Sequence, residues 1–154
     1  FVLQLGDRDE SLADKQIQNE NNRGLYKSET YKQYANNCLS VVNDFRNVVE
    51  KFKSDGYKVV GYGAAAKGNT FLNFAEIDLD YIVDDNELKW DLMTPGRNIE
   101  IKNPTSLASE DKDKLVVVPL AWNFFKEISN RANEITNSSL KFIKYFPKVE
   151  ILWE

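Results

Sequence analysis

Histidine is absent from the 154 residues, and cysteine occurs once, as Cys38. The usual general base near neutral pH and the commonest metal ligand are therefore missing, and one thiol builds neither a zinc site nor an intrachain disulfide. Acid–base chemistry here falls to Lys, Tyr, Asp or Glu, and the sequence assigns no catalytic residue and no metal ligand. No apolar run reaches the roughly 20 residues of a membrane-spanning helix. The opening Phe1-Val2-Leu3-Gln4-Leu5 has no basic region of a signal peptide. Basic excess is missing too, since 20 Lys and Arg face 24 Asp and Glu for a net charge of −4. That balance argues against nucleic acid or a membrane surface as partner, so a bound anion must meet a local positive site. Cys38, in the apolar row of a helix, reads as a small buried hydrophobe, and a reducing cytoplasm fits. The chain opens on Phe1 rather than Met, and we expect a piece of a longer protein.

With 42% hydrophobic residues the chain can bury one sizeable core. Phe1–Leu5 reads as a short strand. Residues 6–24 are rich in Asp, Glu, Asn and Gln, with little apolar material to pack, so we expect residues 1–29 to form an arm or linker before a folded domain over 30–154. From Thr30 to Asp55 the apolar positions Tyr34, Cys38, Val41, Val42, Phe45, Val48, Val49 and Phe52 recur at three and four residues, which predicts a long amphipathic helix stopped by Gly56. Lys58–Gly61 then predicts a buried strand, residues 63–66 a tight turn, and Lys67 to about Ala75 a helix. A second strand over Leu79–Val83 ends in Asp84-Asp85-Asn86, completing a βαβ unit with acidic residues at its carboxyl end. Thr94-Pro95-Gly96 predicts a turn, Asn98–Ile101 a short strand and Pro104-Thr105-Ser106 a brief helix. Lys114–Leu120 is β-branched and nearly all apolar, as in a central parallel strand. Phe124–Thr136 follows as a helix, and Lys141–Trp153 as a last strand or two. The expected fold is α/β: a Rossmann-like, doubly wound, mostly parallel sheet with a long N-terminal helix.

Val60-Gly61-Tyr62-Gly63-Ala64-Ala65-Ala66-Lys67-Gly68-Asn69-Thr70 carries most of the functional information. Gly61 and Gly63 permit a tight turn and close approach of a ligand, and the following helix offers free N–H groups to an anion. Lys67 adds a positive charge, and Asn69 and Thr70 add polar side chains that reach phosphate or sugar oxygens. The pattern is neither a P-loop nor the full dinucleotide fingerprint, because Ala66 stands where the third glycine belongs. Asp84 nevertheless follows Gly63 at roughly the 20-residue spacing of a ribose-binding carboxylate, which keeps a nucleotide ligand, NAD included, in play. The competing readings are a simple strand-to-helix connection with a solvated Lys67, and a solvated turn or helix cap for Asp84 and Asp85.

These blocks, together with Leu79-Asp80-Tyr81-Ile82-Val83-Asp84, Thr94-Pro95-Gly96, and Leu120-Ala121-Trp122-Asn123 with Glu127-Ile128, resemble the C-terminal domain of SAM-dependent sugar C-methyltransferases over about Tyr31 to Phe146. The resemblance implies a larger enzyme with a zinc-binding N-terminal segment, a SAM-binding middle domain holding the base, and this domain, which helps to hold a nucleotide-linked keto-sugar. SAM and zinc then belong to the full-length enzyme and are not bound by this segment. Transferred by position, Gly61, Tyr62, Gly63, Lys67, Asn69 and Thr70 line the phosphate region, Asp84 flanks it, and Trp122 and Asn123 lie on the same sheet edge. The stretch Val83–Lys89 departs from the basic residue and proline usual in the family, which bears on the sugar or nucleotide taken. Trp122 has packing as its plain alternative, and Asn123 has helix capping. A free-standing NAD- or nucleotide-binding Rossmann-like domain, and a structural domain with an empty turn, are the competing functions.

Overall fold

The computed structural model describes residues 10–153, so the strand expected at Phe1–Leu5 lies outside the described residues. Two units are distinguished, one ending at Leu39 and one running from Ser40. In the first, α1 (Glu10–Asn22) occupies part of the stretch whose composition pointed to an arm or linker. Local hydrogen bonding supports helix where apolar burial does not: the Gln16 amide donates to Glu20, and the Tyr26 hydroxyl donates to the same carboxylate. Gly24 adopts φ +70 and turns the chain, and the Thr30 hydroxyl donates to its carbonyl at 2.7 Å. The helix α2 (Ser28–Ser54) starts there and carries Cys38 half-buried; its residues beyond Leu39 belong to the second unit.

The second unit is built on a six-stranded sheet: β1 (Lys58–Tyr62), β2 (Tyr81–Val83), β3 (Ile101–Lys102), β4 (Leu115–Pro119), β5 (Lys141–Lys144) and β6 (Glu150–Trp153). Strand order is β3-β2-β1-β4-β5-β6, with the first five strands parallel and β6 an antiparallel edge. This is the Rossmann order, as expected from the βαβ pattern. The run Leu-Val-Val-Val-Pro of β4 is buried throughout because it pairs with β1 on one side and β5 on the other, and both of its faces are covered.

Alternation along the strands sends neighbouring side chains into two cores. Val59, Val116 and Val118 pack with Val42, Phe45 and Val49 of α2 and with Leu72 and Ala75 of α3 (Ala66–Ala75). Val60, Tyr62, Leu115 and Val117 pack on the other face with Ile128 and Ala132 of α4 (Phe125–Thr136) and with Leu107 of a 3-10 helix, Pro104–Ser109. The connection from β2 to β3 contains no α-helix; a 3-10 turn at Glu87–Lys89 and the turn at Thr94 carry the chain across.

Three buried tyrosines make this core sensitive to alkali. Burial alone pushes the Tyr145 hydroxyl up to about 12, and burial reinforced by a neighbouring carboxylate raises Tyr62 and Tyr81. The folded state holds these protons more tightly than the unfolded chain, whose tyrosines titrate near ~10, so their contribution is complete below that value and declines above it. Thermal unfolding between pH 8 and 11 is expected to show stability lost only above about pH 10, with Tyr145 responsible for about 1 kcal/mol by pH 11. Tyr145→Phe should flatten that loss; an unchanged alkaline profile would contradict the assignment.

Candidate functional site

In a sheet of this order the loops after β1 and β4 run to opposite faces and leave a crevice at their carboxyl ends. Here the β1 loop is the glycine turn. Gly63 adopts φ +92, a conformation that L side chains rarely take, and its N–H donates to the Val83 carbonyl at 2.7 Å. Gly61 serves packing within the sheet. It is buried in β1, and a Cβ there would stand 2.8 Å from Ile82 and 2.9 Å from Leu120. Gly68 does the helix packing that the third fingerprint glycine does elsewhere, since a Cβ on it would lie 2.6 Å from the Leu120 Cβ. The spacing argument looked for that glycine at position 66; the close approach of α3 to the sheet occurs two residues later.

Asp84, just beyond β2, is buried and holds the turn in place. Its carboxylate accepts from the Ala64 N–H at 2.7 Å, the Asn86 N–H at 2.9 Å and the Lys89 ammonium at 2.9 Å. Lys89 also donates to the Ala64 carbonyl at 3.0 Å, so the two side chains clamp both polar groups of one turn peptide. Three of the roughly four acceptor positions of this carboxylate are therefore spent on the turn and on Lys89. No group of three or more His, Cys, Asp or Glu among the described residues could hold a metal ion.

The helix α3 begins at Ala66 with Ala65 as its N-cap, and no side chain caps it. The dipole and first-turn amides are thus presented at the crevice rim without a carboxylate of their own. Lys67 stands beside them, exposed, with its ammonium 5.4 Å from the centre of the Trp122 ring. Trp122 is half-buried, packs against the α2 side of the core and meets Phe146 at a ring separation of 4.4 Å. Packing and cation contact therefore coexist at Trp122.

The remaining predicted residues are dispersed. Asn69 lines a neighbouring recess of about 280 Å³ between the turn and Pro95, where its side-chain oxygen accepts from Asn73. Thr70 is exposed on α3. Asn123 is exposed and lines a separate groove beside Phe146 and Leu152. It does not cap α4, whose N-cap, Phe124, makes no side-chain cap bond.

The crevice beside Gly63, on the α4 face, has a volume of about 410 Å³ and is lined by Tyr62, Gly63 and Asp84. Asp85, Phe124, Glu127 and Arg131 also line it, and of these Phe124 and Arg131 carried no expected site role. The Tyr62 hydroxyl donates to both Asp85 oxygens at 3.1 Å, and burial with the adjacent carboxylate keeps that hydroxyl protonated. Arg131 Nε stands 3.8 Å from Asp85. A usable signal was the spacing of 124, 127, 128 and 131, which places four residues on one helical face.

Strand order and glycine turn together define a Rossmann-like α/β domain. The chain belongs to the family described as C-methyltransferase C-terminal domain, whose profile matches residues 5–147. It is also 27% identical over 136 residues to the C-methyltransferase NovU of Streptomyces niveus, an alignment covering 86% of this chain and 32% of the relative. The chain thus spans about a third of the length of that protein. The family match takes in α1 as well as the region from Tyr31 that carried the resemblance. No helix among the described residues is long and apolar enough to cross a membrane.

Proposed function

We propose that this chain is the C-terminal, nucleotide-sugar-binding domain of a cytoplasmic SAM-dependent sugar C-methyltransferase, and that it holds a keto-sugar nucleotide for methyl transfer to carbon. Residues 30–154 form the binding domain in this reading, and residues 1–29 lead into it. The observation that carries it is the uncapped start of α3 next to the Gly63 turn, with the Lys67 ammonium alongside. Amides and a helix dipole at such a terminus attract a diphosphate, and a neighbouring lysine neutralises it in a domain whose net charge is −4. Trp122 confines the Lys67 ammonium near the rim, and the Asp84–Lys89 clamp fixes the turn from which α3 starts.

In the complete enzyme SAM supplies the methyl group, and the base, the SAM site and a zinc-binding segment belong to other domains. This chain contributes binding and orientation: it anchors the diphosphate so that the sugar ketone projects towards the middle domain. The competing NAD-binding reading draws on the strand order, but Asp84 is buried and spends three acceptor positions on the turn and Lys89, which weighs against it.

Calorimetry tests the reading directly. A nucleoside diphosphate and a nucleotide sugar are expected to bind the chain, and Lys67→Ala to weaken both by about fivefold to tenfold, the loss of one charge-assisted contact. NADH binding more tightly than the nucleotide sugar, or an unaffected Lys67→Ala variant, would contradict it.

A further inference from the structure

The crevice on the α4 face differs in chemistry from the α3 rim. Asp84 is neutralised by Lys89, which leaves Asp85 and Glu127 as carboxylates of the crevice against the Arg131 guanidinium. A space carrying more negative than positive groups repels a diphosphate. Carboxylates and a guanidinium arranged around an apolar surface suit hydroxyl groups, because each carboxylate accepts from an O–H and the guanidinium donates to an oxygen. Asp85 is fixed by the two Tyr62 contacts yet remains exposed, so lone pairs are left for a ligand. Phe124, exposed at the crevice edge, supplies a ring face for the C–H face of a pyranose or furanose. The volume of about 410 Å³ lies within the range of small-ligand sites, roughly 300–1,000 Å³.

We infer that this crevice is a sugar-ring subsite, in which Asp85, Glu127 and Arg131 hold adjacent ring hydroxyls and Phe124 supports the ring. The inference rests on the nucleotide-sugar reading above and deepens it: the diphosphate takes the α3 rim, and a neutral, hydroxyl-bearing ring crosses Gly63 to the α4 side. The absence of a Cβ at Gly63 leaves the path between the two open, the nearest side-chain atom to such a Cβ being the Ala121 methyl at 3.6 Å. The ring is either the hexose or the ribose of the nucleotide, since both present adjacent hydroxyls.

Calorimetry on the full chain separates these arms from each other and from the parent reading, using a 2′-deoxyribonucleoside diphosphate, its ribo counterpart and the corresponding nucleotide hexose. If the hexose fills the crevice, the nucleotide hexose binds at least about fivefold more tightly than the diphosphate alone. Glu127→Gln and Arg131→Gln then remove that increment while leaving diphosphate affinity intact. If the ribose fills it, the increment and its loss appear between the ribo and deoxyribo forms instead. Lys67-dependent diphosphate binding with no increment from either ring, or an increment that both variants leave unchanged, overturns the subsite alone. Absence of binding by every probe overturns both the subsite and the parent reading. Glu127 and Arg131 are exposed on α4, and an unaltered circular dichroism melt will show that the variants fold.

Discussion

Asp84→Ala is expected to lower the unfolding free energy by about 3 kcal/mol, because it leaves two backbone amides and an ammonium without their shared acceptor. The carboxylate is buried, and its three donors come from the turn, from the chain beyond β2 and from Lys89. Lys89 is partly exposed and regains water when the carboxylate is removed, so most of the loss comes from the Ala64 and Asn86 amides. In a thermal melt the change corresponds to roughly 6–12 °C for a domain of this size. Asp84→Asn keeps one acceptor oxygen and is expected to lose about half as much. Nucleoside diphosphate affinity should fall with Asp84→Ala as well, since the released turn must be ordered again on binding. A melt within about 2 °C of the parent protein would show that the clamp does not hold the turn.

Gly68→Ala is expected to cost about 2–3 kcal/mol, against a gain of about 1 kcal/mol for the same exchange at an ordinary helix interior. The reversal of sign is the informative part. The new methyl would stand 2.6 Å from the Leu120 Cβ and 3.3 Å from the Leu120 carbonyl oxygen, and that carbonyl already accepts from the buried Tyr145 hydroxyl at 2.7 Å. Leu120 cannot step aside without breaking this bond, so α3 has to lift from the sheet. Its N-terminus and Lys67 would move with it, and the binding of a nucleoside diphosphate is expected to weaken alongside stability. Chemical denaturation reads the stability change; a neutral or stabilising outcome would mean that α3 does not depend on that close approach.

The two glycine positions also show what kind of information the sequence held. Element order was legible because it rests on local periodicity: the α2 repeat, the β-branched run of β4 and the stop at Gly56 each report their own segment. The turn was legible as a turn because Gly63 must accept a positive φ. Its internal division of labour was not, since Gly61 and Gly68 are required by contacts with Leu79, Ile82 and Leu120, whose positions follow only from the folded sheet.

Asp84 illustrates the same limit from the side of chemistry. Spacing from Gly63 is the same whether a carboxylate faces a ribose or the turn itself, and the Ala64 and Lys89 contacts follow only from the fold. Arg131 and Phe124 stayed hidden because the pairing of β1 with β4 brings α4 beside a loop some 60 residues away in sequence. The polar segment before Gly24 forms α1 through side-chain hydrogen bonding, a contribution that low apolar content does not register.

The central claim is that a diphosphate docks where β1 bends into α3, and the structure of the chain in complex with a nucleoside diphosphate tests it most directly. The account predicts phosphate oxygens within hydrogen-bond distance of the Ala66 and Lys67 amides, with the Lys67 ammonium swung from Trp122 towards them. Phosphate found elsewhere on the molecule, with α3's first turn bare and Lys67 still over the indole, would contradict it.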